Sequence, residues 1–334
     1  MHDRSPFDPG TFHFRGMHTG ARMGTASDRY AGWIGQVYTG ELYKGRISSR
    51  THKIKGKPFK EQVLPVECVA EYFQHFEVLE LDYTFYRPLL DKEGKATQNY
   101  HVLLSYRDQL VPGSSLVLKV PQAVSARKVL REGRYVENTE YLSPELFTGS
   151  FYEPAVELLG EHLSAFVFEQ EYQRREERTP PERLAEALGR FFEAVPRDDR
   201  YHIELRTESY LSEPVFGVLE QFGIGQVLSH WTWLPPLRKQ FGLADHRFFN
   251  AGNQAVVRLM TPIGTRYEDA YAKAHPFDKL IDGMLQPAMI DDTANFMRES
   301  IRQGVQVNVI INNRAGGNAP MIAQLIAQRF MADD

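Results

Sequence analysis

His202-Ile203-Glu204-Leu205-Arg206 decides how this chain is read. Successive side chains of a strand point to opposite faces, so Ile203 and Leu205 share one layer while Glu204 and Arg206 share the other. The same pattern recurs at Val78-Leu79-Glu80-Leu81-Asp82, Val117-Leu118-Lys119-Val120 and Val256-Val257-Arg258-Leu259-Met260. If these four strands belong to one helix-covered sheet, then Glu80, Lys119, Glu204, Arg206 and Arg258 meet in one enclosed space. Charges in such a space must be paired, hydrated or holding a ligand.

Working outward, apolar strand patterns alternate with helical ones. Strands are expected over Tyr30–Val37, Glu77–Leu81, Ser115–Val120, Ala165–Gln170, Tyr201–Arg206, Gly225–His230, Gln254–Met260 and Val305–Ile311. Between them lie helical stretches at Val66–Phe76, Gln98–Gln109, Glu153–Leu163, Ser212–Phe222 and Ala319–Phe330. A further helix runs from the Pro180-Pro181 pair to Val195, with Thr179 as its expected N-cap and Leu184, Leu188, Phe191 and Phe192 at helical spacing. Eight strand and helix pairs in a chain of this length predict a single-domain α/β fold, a closed (β/α)8 barrel with long strand-to-helix loops. An open doubly wound sheet is the alternative, but no Gly-x-Gly-x-x-Gly follows the first strand to support a dinucleotide site. The irregular segments Gly40–Lys60, Gly133–Tyr152 and Trp231–Asn253 sit where barrel enzymes build the rims of their sites, and Tyr135, Tyr141, Phe147, Phe151, Trp231 and Trp233 in them either stack on a ligand or pack a lid.

With 334 residues, 42% hydrophobic and a formal net charge of −4, the chain can bury one sizeable core or two smaller ones, and has no global drive toward nucleic acid or an anionic membrane. Its one cysteine, Cys68, excludes an internal disulfide and sits on an expected helix packing face. No segment has the length of a membrane span, and Met1–Arg29 lacks the apolar stretch of a secretory signal, so a cytoplasmic protein with a loosely ordered arm over residues 1–29 and a barrel over 30–331 is expected.

Glu80-Leu81-Asp82-Tyr83-Thr84-Phe85-Tyr86-Arg87-Pro88 resembles the Glu-x-Asn-x-Thr-Phe-Tyr motif of the YecE-like family, domain of unknown function 72. Lys119-Val120-Pro121, Gln170, Glu204-Leu205-Arg206, Arg258-Leu259, and Asn312-Asn313 with Gly317, Ala319 and Pro320 are similar to its further motifs in the same order, so the likeness spans about Tyr30 to Phe330. The resemblance implies a barrel of the triose-phosphate isomerase type with a polar pocket at the carboxyl ends of its strands, and no established activity. The chain departs from the family pattern at Ala126, Thr207, Met260 and Arg314, where relatives tend to carry His, and at Asp82 and Tyr210, which stand for Asn and Trp. A member without those histidines either uses carboxylates for proton transfer or is a binder.

Glu80 and Glu204 are the candidate acid and base, since two carboxylates at strand ends suit acid–base or glycosidase-type hydrolysis. Lys119, Arg206 and Arg258 beside them would hold both ionised, and a fully ion-paired carboxylate is a poor general acid. These cations suggest an anionic small molecule or a nucleotide, which Asp82, Tyr86, Gln170, Asn312, Asn313 and Arg314 would help bind. Asn313-Arg314-Ala315-Gly316-Gly317-Asn318 leads into the last helix, whose free N–H groups and dipole favour phosphate; the alternative is a plain connecting turn with Asn318 as N-cap. The histidines are scattered, with His202 and His230 the two that neighbouring strands could bring together. Metal chemistry therefore reduces to Glu80, Asp82 and Glu204 holding Mg²⁺ with a substrate phosphate. Two classes remain, an enzyme on a phosphorylated or sugar substrate and a non-catalytic binder of nucleic acid or a metabolite.

Overall fold

In the computed structural model, which describes residues 7–131 and 133–332, the alternation of charged and apolar positions closes into a barrel. Its eight strands are β1 (Ala21–Ala26), β2 (Val78–Leu81), β3 (Ser115–Lys119), β4 (Leu163–Gln170), β5 (Tyr201–Leu205), β6 (Gly225–His230), β7 (Gln254–Leu259) and β8 (Gln306–Ile311). All pair in parallel with their sequence neighbours, and β1 pairs with both β2 and β8. Helices Val69–His75, Gln98–Arg107, Glu153–Leu159, Pro181–Ala194, Glu213–Phe222, Leu237–Leu243, Pro287–Arg302 and Ala319–Met331 follow the strands in turn.

Ile203 and Leu205 join Leu79, Leu116, Phe166, Val257 and Val309 in the large apolar core between strands and helices. The opposite parity fills the barrel interior with Val78, Val117, Ala165, Val167, Val227, Val256 and Ile310. Glu80, Lys119, Glu169 and Arg258 each lie two residues beyond one of these valines, and so form the next layer up. The apolar layer is the plug on which the charged layer rests.

The first strand is a correction. The apolar stretch expected as a strand over Tyr30–Val37 is a 3-10 turn, Ala31–Trp33, followed by Gly35 at φ +86. β1 is the less conspicuous Ala21-Arg-Met-Gly-Thr-Ala26, so the barrel begins inside the segment expected to be a loose arm. Gly24 is required there, because a Cβ would sit 1.9 Å from the Val78 carbonyl oxygen. Ahead of β1 the chain is anchored, with Phe14 buried and Arg15 donating to the Phe73 carbonyl (2.9 Å); Met1–Pro6 lie outside the described residues. Thr179 does not cap the helix Pro181–Ala194: Pro180 holds the N-cap position, and the Thr179 hydroxyl instead accepts from Arg127.

The polar loop expected over Gly40–Lys60 contains an antiparallel hairpin, Ser48–Ile54 with Lys57–Val63. Lys55 and Gly56 both take positive φ at its tip, as a tight two-residue turn of this hand requires. One face of the hairpin lays Ile54 and Phe59 on Tyr271 and Phe277, next to the helix Tyr267–Ala274. No helix among the described residues is long and apolar enough to cross a membrane.

Candidate functional site

The charged layer is an ion-pair lattice at the carboxyl ends of the strands. Arg258 donates to both oxygens of Glu80 (Nε–Oε2 2.7 Å, Nη2–Oε1 2.8 Å), a bidentate fork, and its Nη1 reaches Glu169 (3.1 Å) and Glu204. Arg206 donates to Glu169 through Nη1 (2.8 Å) and to Glu204 through Nε (3.1 Å), while Lys119 Nζ lies 2.7 Å from Glu169. Three cations thus face three carboxylates. Burial alone would lower the pKa of the fully buried Arg258, but Glu204, Glu80 and Glu169 outweigh it and hold it well above the usual range. Burial would likewise raise Glu169, yet Arg206, Lys119 and Arg258 keep its carboxyl well below the ordinary value.

Glu169 was not among the residues picked from the sequence; its neighbour Gln170 was. In β4 the two have opposite parity, and Gln170 faces the helices, donating to the Ser125 carbonyl (2.9 Å) and accepting from Tyr141 (2.8 Å). The signal that could have found Glu169 is its register with Glu204 across β4 and β5.

Above the lattice opens a cavity of about 200 Å³, lined by Glu80, Asp82, Phe85, Tyr86, Lys119, Glu169, Arg206, Trp231, Arg258, Met260, Tyr267, Asn312 and Arg314. The 3-10 turn Asp82–Phe85 after β2 shapes one wall, pinned by the Thr84 hydroxyl donating to the carbonyls of Lys119 (2.7 Å) and Leu81 (3.0 Å). It sets the Phe85 ring 4.0 Å from Lys119 Nζ and leaves Tyr86 68% exposed on the rim. Trp231 stacks on the Arg206 guanidinium (4.8 Å) and Tyr267 on that of Arg314 (4.0 Å). Neither Asp82 nor Arg314 makes an ion pair among the described residues; Arg314 donates to the Tyr267 hydroxyl (2.6 Å), and its Nε is buried without a partner.

The structure thus brings Glu80, Asp82, Tyr86, Lys119, Arg206, Arg258, Asn312 and Arg314 to one mouth. Glu204 lies beneath it, fully buried, with Arg206 and Arg258 on Oε2 and Oε1 unpartnered. Asn313 and Gly317 are not in the mouth. Asn313 Oδ1 accepts from Trp33 Nε1 (3.1 Å) and Ala319 N (2.8 Å), and a Cβ on Gly317 would lie 2.3 Å from the Lys279 carbonyl. Asn318 does cap the last helix, accepting from Met321 N (2.8 Å). The turn expected to take phosphate is therefore closed, its groups consumed by capping and by the chain segment packed on it.

His202 and His230 do not meet. A Cβ on the inward-facing Gly225 would lie 2.2 Å from the His202 ring, whereas His230 has the outward parity of β6 and bonds Gln286 (2.9 Å), with burial pushing its pKa down to about 4. Among the described residues no three His, Cys, Asp or Glu are placed to hold a metal ion, so Glu80, Asp82 and Glu204 do not form the Mg²⁺ set weighed from the sequence. Of the loop aromatics, Phe147 and Phe151 belong to the core, while Trp231 lines the mouth and Trp233 stacks on Tyr172 beside it (5.6 Å).

Just past β1, Asp28 is buried on the outer side of the barrel, accepting from Tyr106 (2.8 Å) with the Cys68 thiol 3.8 Å away. Burial pushes its carboxyl up to about 6, against the smaller opposing effects of Tyr106 and Arg29, and burial also raises the Cys68 thiol far above its usual range. Cys68 is no nucleophile.

Fold and mouth together define a parallel (β/α)8 barrel with a paired ionic floor beneath an aromatic-walled opening. The chain belongs to the family described as protein of unknown function DUF72, whose model matches residues 22–334. A DUF72 family protein from Enterococcus faecalis V583 is similar over 93% of this chain and 95% of its own, at 17% identity and a TM-score of 0.56. One from Thermotoga maritima MSB8 is similar over 94% and 99%, at 17% identity and a TM-score of 0.54. No protein of curated function matches the chain.

Proposed function

We propose that the mouth binds a small anionic molecule of the cytoplasm, phosphorylated or otherwise acidic, and that its aromatic walls receive a sugar or base. One observation carries this reading: among the described residues Arg314 stands at the opening without an ion pair, with Asp82 acting on it only at longer range, stacked on Tyr267 above a floor whose other cations are already paired. An incoming oxyanion would find an unspent guanidinium pre-oriented by its ring, with Asn312 alongside.

The hydrolytic reading that uses Glu80 and Glu204 has less support. Both oxygens of Glu80 are held by Arg258, and Glu204 lies outside the cavity. A catalytic reading would rest instead on Asp82, the one carboxylate of the mouth that, among the described residues, no hydrogen bond or ion pair ties up.

Thermal-shift titration with inorganic phosphate, ribose 5-phosphate and uridine monophosphate tests the proposal. At least one is expected to stabilise the protein. Arg314→Gln should weaken that ligand about ten- to a hundredfold, since a charged hydrogen bond contributes roughly 1.5–3 kcal/mol. No shift with any of the three, or a shift untouched by Arg314→Gln, would refute it.

A further inference from the structure

The hairpin between β1 and the first helix carries a charge distribution that the mouth does not use. From Lys44 to Val63 the chain has seven Lys or Arg against a single acid, Glu61, in a protein whose net charge is −4. Glu61 is taken by Arg50 (2.7 Å) and His52 (3.1 Å), Lys44 pairs with Glu41 (3.9 Å), and Lys55 pairs with Asp269 (2.5 Å). Lys53, Lys57 and Lys60 are exposed and have no carboxylate partner among the described residues. The register sets Lys53 opposite Pro58 and Lys60 opposite Thr51, so Lys53 and Lys60 are diagonal neighbours on the solvent face, about 7–8 Å apart. A face that served only solubility would interleave both signs.

The hairpin is also fixed in place beside the mouth. Its inner face packs Phe59 on Tyr271 (5.6 Å), and Tyr271 lies one helical turn from the rim residue Tyr267. Further round the rim, Tyr86, Trp233 and Tyr267 are 68%, 44% and 43% exposed. Two unpaired cations on the outer face of a hairpin whose inner face borders the rim, together with the exposed rings of that rim, suit a ligand that repeats phosphate and base, since the backbone follows the charges while the bases stack. The cavity of about 200 Å³ admits a phosphate and its sugar, not a duplex.

We propose that the hairpin and the aromatic rim hold a single-stranded nucleic acid, one end of which enters the mouth. This rests on the reading of the mouth as an anion site and extends it from a small ligand to a polymer. Lys53 and Lys60 follow the phosphates, and Tyr86 and Trp233 take bases.

Fluorescence anisotropy with a 5′-phosphorylated, 3′-labelled twelve-nucleotide oligouridylate tests it, using the full chain and the charge-reversed variant K53E/K60E. Wild type is expected to bind. The variant should bind at least tenfold more weakly and lose about 1.4 from the slope of log affinity against log salt, at roughly 0.7 per phosphate contact on a single strand. Its thermal shift with uridine monophosphate should equal that of wild type. K53Q/K60Q, which keeps the surface polar, should give a smaller loss in the same direction if the charge-reversed variant folds poorly. The inference falls if the variants bind the oligonucleotide like wild type. It falls too if wild type ignores the oligonucleotide while uridine monophosphate still shifts it, or if the lysines serve only phosphatidylserine-containing vesicles. If wild type responds to none of inorganic phosphate, ribose 5-phosphate, uridine monophosphate and the oligonucleotide, the reading of the mouth falls with it.

Discussion

Arg258→Met is expected to lower folding stability by roughly 3–5 kcal/mol, the usual cost of removing one partner from a buried ionic cluster. The size follows from what the guanidinium touches. It saturates both oxygens of Glu80 and reaches Glu169 and Glu204, so its loss leaves three carboxylates with only Arg206 and Lys119 inside a barrel that water enters poorly. Methionine restores much of the volume and none of the charge. Urea unfolding of the purified variants measures the effect as a drop in midpoint at constant slope. Adding Glu80→Gln to Arg258→Met should recover part of the loss, because it removes the carboxylate that depended most on the fork. A single variant as stable as wild type would mean the lattice contributes nothing to the fold.

Asp28→Asn should act in the opposite direction, stabilising the protein by about 3 kcal/mol at pH 7 and above, the equivalent of moving a carboxyl from its ordinary value of 3.8 to about 6. The folded state holds the Asp28 proton more tightly than the unfolded state. Its contribution is therefore fully present below pH 3.8 and is lost as pH rises through 6. His230 runs the other way: depressed from 6.5 to about 4, it costs nothing above pH 6.5 and destabilises progressively as pH falls toward 4. Between pH 4 and 6 the two slopes oppose each other in wild type. The Asn variant should expose the His230 slope, so stability measured across that window climbs with pH in the variant and stays flatter in wild type. Equal pH profiles for the two proteins would show that Asp28 does not bind its proton in this way.

The barrel was legible because charges interrupt its strands at a fixed parity. Seven strands lie within a residue or two of their expected spans, four of them on that signal and three on apolar runs, and the eighth is misplaced for a physical reason. Tyr30–Val37 looks like a strand because it is apolar, but Gly32 and Gly35 let it fold into a turn whose Trp33 fills a gap beside Asn313. β1 is inconspicuous because Gly24, where a Cβ would meet the Val78 carbonyl, and Ala26, in the barrel interior, stand where other strands carry branched residues. In the site, strand parity brought Glu80, Lys119, Arg206 and Arg258 together correctly. It does not distinguish Glu204, buried beneath the mouth in register with Glu169, from the carboxylates that line it. Gln170 for Glu169 was an error of one position, which in a strand is an error of face. Asn313 and Gly317 were chosen for a helix start that proved to be covered, and coverage by a distant segment leaves no trace in the turn itself. The hairpin went unread as structure because its exposed polar strands have no apolar alternation.

The pairing of β1 with both β2 and β8 ties the beginning of the chain to its end. During synthesis, one margin of β1 stays without a neighbour until residues 306–311 emerge, nearly three hundred residues later. For that interval the nascent chain is an open ribbon with two bare borders, the form most prone to stick to other chains. Asn308 and Ile310, arriving last, shut the cylinder and complete it in a single late event.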